Sequence, residues 1–395
     1  MEENNQTQQT NDQKTWVSIH GNAMSITDRA AADYGKNITF RYPIPVPFDG
    51  DAVKLTFDNF CGTEPVTITY ARIAVAVGAE QVQPNENYLI TFHGVPSVTI
   101  PAGKKAECDP IPLHARKGSL LSVSFYFADY VQLRSGVTIT GPLSKGNYTF
   151  GNFVDSEQLP QEHTRNTKIR YFLSDVSLLT EPQNKAVICY GDSITAQSWP
   201  DYLAMEFPAC GEQNRSVVRK AASGTRILRQ YSCATYESYG LCGKIRFPHE
   251  IPSVNGADSV IIQQGINDII HPVGVVENPF RPWSDLPKTA ELIEGLKKYI
   301  HQARKYGLKV YMGTLLPFEG WRTYADFREN MKEEVNAFIR STDLIDGVID
   351  FDKVVRDPLH PTRFQKEFNS GDNLHPSELA YREMAKEAAR VLQTK

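Results

Sequence analysis

Two patterns of apolar and polar positions follow one another along this chain. From Trp16 to about Thr180, runs such as ITFRYPIPVPF, AVKLTFDNF, VTITYARIAVAV, YLITFHG, SVTIPA, SLLSVSFYFADYV and GVTITG alternate or stay apolar for a few residues. Pro, Gly, Asp and Asn stand between them. Short strands at close spacing, punctuated by turn residues, predict an all-β sandwich of jelly-roll-like kind. Long helical periodicity is hardly visible there. After TEPQNK (180–185) the texture changes. AVICY, DSVIIQQG, LKVYMGTLL and GVIDF read as buried strands. LPKTAELIEGLKKYIHQARKYG, DFRENMKEEVNAFIRS and SELAYREMAKEAARVLQ carry apolar residues at helical spacing. Pro287 stands near the start of the first of these helices and Gly307 at its end. Strands alternating with helices predict a parallel sheet covered on both faces, with ligands outside the C-terminal strand ends. The expected division is a disordered tail over 1–14, a β-sandwich over 15–180 and an α/β domain over 181–395.

Composition narrows the function classes. The chain has 395 residues, 41% of them hydrophobic and 22% charged, with a net charge of −4. It can bury a sizeable core, and no general nucleic-acid or anionic-membrane surface is expected. No apolar run approaches the roughly 20 residues of a membrane span. MEENNQTQQTNDQK is polar and acidic, without the basic start and apolar core of a signal peptide, so a cytoplasmic location is expected, with secretion after trimming as the alternative. Six cysteines in so long a chain do not make a disulfide scaffold. Cys189 lies inside an apolar strand and reads as a buried thiol; Cys233 and Cys242 flank a short segment that an oxidising compartment would allow to pair. Neither CxxC nor HExxH occurs, so neither a metal nor another cofactor is expected.

Four local patterns carry candidate chemistry. Ser193 follows the apolar AVICYGD. A serine hydroxyl is a weak nucleophile unless a base takes its proton, and a serine there serves equally as the N-cap of the next helix. In SGDNLHPSELAYREMA, Asp372 and His375 stand three residues apart before a helix, with Pro376 fixing the backbone beside the histidine. A carboxylate at that spacing can accept the imidazole Nδ1–H and leave Nε2 free to act on a serine. Acyl transfer also needs donors at the oxygen that becomes negative. Asn267, in QQGINDII, can aim its side-chain amide there. Gly224, in KAASGTRIL, lets a backbone N–H approach a ligand. Each is also an ordinary turn residue. Asp268 reads as a structural hydrogen-bonding partner.

The order Ser, Gly, Asn, Asp-x-x-His resembles the SGNH (GDSL-type) hydrolase family, with GDSI where that family has Gly-Asp-Ser-Leu. The G-x-S-x-G elbow of α/β-hydrolases is absent. LTFDNFCGTEPVTITYARIAV, VPSVTIPAGKKAECDPIPL, RYFLSDVSLL, LLPFEG, VNAFIR and GVIDFDKVVRDP look like a two-domain bacterial branch of that family, so the resemblance spans most of the chain from about residue 16. It implies a flavodoxin-like three-layer α/β hydrolase domain. It also implies Ser193 as nucleophile, His375 as base and Asp372 as its orienter. Ser193 N–H, Gly224 N–H and Asn267 would form the oxyanion hole.

Loops past the strand ends supply candidate substrate walls: Trp283 and His271 in IIHPVGVVENPFRPWSDL, and Trp321 in LLPFEGWRTY. Ordinary packing of loop onto domain is the alternative for each. The expected activity is a carboxylester hydrolase that prefers short acyl groups, with O-acetylated carbohydrate as the leading substrate. The alternatives are a lipase or lysophospholipase, and a carbohydrate-binding protein whose hydrolase domain is weakly active. Survival of all five chemical positions argues against the last. The partner is then a small-molecule or oligosaccharide ester. The sandwich has three candidate roles: binding glycan, walling the active site, or self-association into a homo-oligomer.

Overall fold

The computed structural model describes residues 13–26, 33–231, 239–279 and 281–393. The N-terminal part is built from antiparallel strands in two main sheets. One has the order Thr15–Gly21, Leu173–Thr180, Ala52–Asp58, Lys105–Glu107. The other runs Arg165–Asn166, Asn147–Phe150, Ile38–Pro45, Leu120–Phe127, Tyr70–Ala76, Val82–Leu89. Their inner faces meet through aromatic rings. Phe57 of the first sheet lies edge-on to Phe125 of the second, with centroids 5.3 Å apart. Alternation in the sequence becomes this geometry directly: Val53, Leu55 and Phe57 are fully buried, while Lys54 and Thr56 between them are only partly so. The expected sandwich thus forms, with ITFRYPIPVPF, AVKLTFDNF, SLLSVSFYFADYV and the second half of VTITYARIAVAV supplying strands of the two main sheets, while VTI and SVTIPA pair in a two-stranded sheet and GVTITG lies in a three-stranded one.

The C-terminal part is a five-stranded, all-parallel sheet. Its strands are β1 (Lys185–Gly191), β2 (Arg215–Ala221), β3 (Ala257–Gln263), β4 (Lys309–Gly313) and β5 (Gly347–Ile349), in the order β2-β1-β3-β4-β5. This is the flavodoxin-like order, whose switch point lies between β1 and β3. The helices are α1 (Ser193–Ala196), α2 (Trp199–Ala209), α3 (Gly243–Glu250), α4 (Ile266–Ile270), α5 (Thr289–Lys305), α6 (Asp326–Ser341), α7 (Phe351–Val355) and α8 (Glu378–Gln393). Helices α5, α6 and α8 match the periodic stretches in the sequence. In α5, Leu292, Leu296, Tyr299, Ile300 and Ala303 recur every three to four residues and are buried, and Gly307 ends the chain's turn at φ +76°.

The sequence pattern shows four of these strands and not β2. Arg215, Arg219 and Lys220 break its apolar run. The structure buries Arg219 and Lys220 and pairs each, so the strand forms against its composition. The two parts are joined along a polar seam. Thr15–Gly21 runs beside β2, where Ser216 Oγ donates to Ser18 O (2.6 Å) and Lys220 Nζ to Asn22 O (3.0 Å) and Ser174 O (2.8 Å). On α3, His249 stacks on Phe60 of the sandwich at 3.6 Å and meets Asp58 at 2.7 Å. Among the described residues no helix is long and apolar enough to cross a membrane.

Candidate active site

Strand ends in register set the site. Gly191 of β1 pairs with Ala221 of β2 on one side and Gln263 of β3 on the other. The residues just past them therefore share one edge of the sheet. Ser193 is the first residue of α1. The cap of that helix is Asp192, whose Oδ1 accepts from Ile194 N at 3.1 Å. Ser193 is thus relieved of the capping role that its sequence position allowed, and its hydroxyl is available. That hydroxyl lies 2.9 Å from His375 Nε2. His375 Nδ1 lies 2.6 Å from Asp372 Oδ2. The carboxylate holds the imidazole proton on Nδ1, so Nε2 accepts from Ser193 Oγ–H. A separation of 182 residues is closed by the fold.

Asp372 is held by more than the histidine. Its Oδ1 accepts from His375 N (2.8 Å), Leu374 N (2.9 Å) and Ser370 Oγ (3.1 Å). Partial burial works to raise the carboxyl, but the hydrogen bonds from the His375 ring and from these backbone N–H groups outweigh it. Asp372 is held well below the usual carboxylate range. Asn369, which the sequence reading did not single out, wires the loop. Its Oδ1 accepts from Gly371 N (2.8 Å) and Asn373 N (3.1 Å), and its Nδ2 donates to Asn373 Oδ1 (2.7 Å). Asn373 takes φ +62°, which Asn tolerates better than most residues. Pro376 bridges back to Asn369 and helix α8 begins two residues later, at Glu378. Its backbone constraint therefore acts on the loop and not on the first helical turn.

Gly224 lies in the turn that follows β2, at φ +76°, and its position leaves no room for a Cβ because the Tyr239 ring covers it. Tyr231 donates from its hydroxyl to Gly224 O at 3.0 Å. The Gly224 N–H donates to no acceptor among the described residues. Asn267, buried in the first turn of α4, donates one Nδ2 proton to Thr225 O (3.2 Å), and its other meets no acceptor among the described residues. Asp268 accepts from Ile227 N (2.8 Å) and Leu228 N (3.1 Å). Burial pushes its carboxyl up to about 6 against those two bonds, and its role is to brace the segment after Gly224.

Beneath these turns sits a buried arginine that the sequence reading also passed over. Arg246 of α3 donates to Thr225 Oγ1 (3.0 Å), Lys220 O (3.0 Å) and Gly191 O (3.4 Å). It also makes a two-point pair with Glu250 at 3.1 and 2.9 Å. One guanidinium therefore ties the ends of β1 and β2 to the Gly224 turn. Gln264 Nε2 reaches the same Thr225 Oγ1 at 2.9 Å from the end of β3. A cation near the end of the tyrosine-rich stretch QYSCATYESYGLCGKIRF (230–247) gives little warning of this use.

The three wall candidates fare differently. Trp283 is 53% exposed, and its ring lies 5.8 Å from that of Phe327. Its neighbour Asp285 pairs with Arg226, two residues past Gly224. Trp321 packs partly against the core under Arg322, in a segment whose Gly320 O accepts from Asn373 Nδ2 (3.4 Å), beside the Asp372 loop. His271 is buried against Tyr239 (5.0 Å) and Tyr231 (5.9 Å), one ring removed from the Gly224 turn. Burial, and then the nearby arginines, push it down to about 3, so it is neutral. Of the tyrosine-rich segment 230–247, residues 232–238 lie outside the described residues, and with them Cys233 and its pairing with Cys242. A separate cavity of about 300 Å³ between the sandwich and α2 is lined by Ile19, Val46, Leu143, Pro200 and Arg219, and by none of Ser193, Asp372 or His375.

The model of a family described as GDSL-like lipase/acylhydrolase matches residues 187–388. No curated protein matches the chain. Among solved structures, the lipase/acylhydrolase from Enterococcus faecalis is 20% identical, covers 53% of this chain and 96% of its own, and superposes with a TM-score of 0.39. A GDSL-like lipase from Bacteroides thetaiotaomicron is 16% identical, over 53% of this chain and 88% of its own, with a TM-score of 0.38. Axe2, an acetylxylan esterase from Geobacillus stearothermophilus, is 18% identical, over 53% and 94%, with a TM-score of 0.37.

Proposed function

We propose a function for a chain that belongs to the GDSL-like lipase/acylhydrolase family: it is a serine carboxylester hydrolase working through an acyl-enzyme, and its substrates are short acyl, above all acetyl, esters of carbohydrate. The observation that carries the hydrolase reading is the unbroken chain Ser193 Oγ, His375 Nε2, His375 Nδ1, Asp372 Oδ2, with links of 2.9 and 2.6 Å. His375 takes the Ser193 proton as Oγ attacks the ester carbonyl. The carbonyl oxygen becomes negative and is met by Ser193 N–H, Gly224 N–H and the spare Asn267 proton. His375 then returns the proton to the departing sugar oxygen. Water, activated by the same nitrogen, releases the acyl group from Oγ. Asp372 stays ionised throughout and stabilises the imidazolium.

Trp283 supports the carbohydrate reading. It is a half-exposed ring on a loop anchored to the Gly224 turn through Asp285 and Arg226, and a flat apolar face suits a sugar ring. One observation favours long-chain acyl esters instead: Val275 and Val276, on the same loop, are 71% and 74% exposed. Comparing p-nitrophenyl acetate with its decanoate, beside acetylated xylo-oligosaccharides, separates the two. Faster decanoate turnover overturns the short-acyl reading. Ser193→Ala is expected to remove activity, and wild-type turnover in that variant overturns the nucleophile assignment. The rate should fall on acidification, because an imidazolium cannot accept the Ser193 proton.

A further inference from the structure

We infer that the sandwich is a working support of the active site, and that Arg219 with the sandwich loop 139–146 positions the nucleophile turn. The inference rests on the reading of Ser193 as nucleophile. Helix α1 has only four residues, too short to satisfy its own carbonyls. Its last carbonyl, Ala196 O, is held from outside by Thr140 N of the sandwich (3.2 Å) and by Arg219 Nη1 of β2 (3.0 Å). The same Nη1 donates to Thr140 O at 3.0 Å, so one guanidinium nitrogen clasps both segments.

Arg219 also pairs with Asp201 in the first turn of α2. Asp201 in turn accepts from Leu143 N (2.8 Å) and Ser144 Oγ (2.9 and 3.1 Å) of the sandwich loop. Arg219 and Asp201 are 6% and 7% exposed, so water does not compete for these bonds. Gly141 permits the approach: it takes φ +147°, and a Cβ there would run into the Asp201 carboxylate. Around the clasp, Ala23, Val137 and Ile139 of the sandwich form one small apolar cluster with Ala196, Ala221 and Ala222. Ala221 and Ala222 lead directly into the Gly224 turn. Both backbone donors of the proposed oxyanion hole therefore lean on the sandwich. Arg219 and Thr140 touch no reacting atom; they are positioning residues.

The test uses the full chain. Gly141→Ala forces the loop off Asp201 without removing a buried charge, and Arg219→Ala opens the clasp itself. Each is measured for kcat and KM on p-nitrophenyl acetate, with circular dichroism and thermal melting to establish folding. Both should lose about ten- to a hundredfold in kcat with KM within about twofold, since small misplacement of a reacting group costs that much without touching substrate binding. Guanidinium, added below denaturing concentration, should return part of the Arg219→Ala kcat. A folded Gly141→Ala enzyme with wild-type kcat overturns the inference, whatever Arg219→Ala does. If Arg219→Ala does not fold, Gly141→Ala decides alone. Activity that survives Ser193→Ala would instead overturn the nucleophile reading beneath it.

Discussion

At the scale of single residues, the site is defined by what each carboxylate is given to do. Asp372 is ionised under several donors, whereas Asp192, the residue before the nucleophile, is fully buried and its Oδ2 has no partner among the described residues. Burial dominates there and pushes Asp192 up to about 7. The sign follows from proton counts. Between the unfolded carboxyl value of about 4 and the folded value, the native state holds a proton that the unfolded chain has lost, so stability falls as pH rises across that window. Above it the full cost, on the order of a few kcal/mol, is present. Asp192→Asn keeps an oxygen to cap Ile194 N and cannot ionise. Thermal melts should show the variant gaining on the wild type at pH 8 and not at pH 4. An equal difference at both values would mean that Asp192 titrates as an ordinary carboxyl.

At the scale of elements, the strand ends are aligned by buried ion pairs as much as by the sheet. Removing Arg246 leaves Glu250, 2% exposed, without its partner. Such an unpaired buried charge costs about 3–5 kcal/mol. Arg246→Met should therefore lower the urea midpoint steeply, and Arg246→Met with Glu250→Leu should recover much of the loss. Activity should not recover with it, because Thr225, Lys220 O and Gly191 O have still lost their common donor. A double variant that is active as well as stable would show that the strand ends need no such tie.

These same residues mark how far the sequence could be read. Ser193, Asp372 and His375 are legible only as a set, which the resemblance to the SGNH family joins, since each alone reads equally as a cap or turn residue. The apolar strands β1, β3, β4 and β5 and helices α5, α6 and α8 are legible because period carries them. Strand β2 is not, since its charged residues are satisfied by partners far off in sequence: Arg219 by Thr140 O and Asp201, and Lys220 by Asn22 O and Ser174 O. Arg246 escapes for the same reason, since Thr225, Lys220 and Gly191 lie 21, 26 and 55 residues from it. Asn369 escapes although Gly371 and Asn373 are only two and four residues on, because those bonds exist only once the loop has its folded shape. A buried cation or a loop asparagine reveals its use only when its acceptors are placed. The capping of α1 by Asp192 was within reach, because Asp and Ser are both good caps and only one was needed.

At the scale of the whole molecule, the seam makes two architectures behave as one. Ser18 alone donates from N to Asn255 O (3.0 Å), accepts from Asn255 N at its Oγ (2.9 Å), and accepts from Ser216 Oγ at its carbonyl (2.6 Å). Lys220, His249 and Arg219 add further links across it. Calorimetry should therefore show a single cooperative unfolding transition, not two. Separate transitions for sandwich and α/β domain would mean that the seam contributes little, and would weaken the case for the sandwich as a support.

The link between His375 and Asp372 has a spectroscopic consequence. A charge-assisted hydrogen bond of 2.6 Å strips electron density from its proton. The Nδ1 proton should therefore resonate far downfield of the amide envelope in a one-dimensional NMR spectrum in water. It should persist in Ser193→Ala, which leaves the pair intact, and vanish in Asp372→Ala. That one line would report, without substrate or turnover, whether the loop wired by Asn369 has closed around its carboxylate.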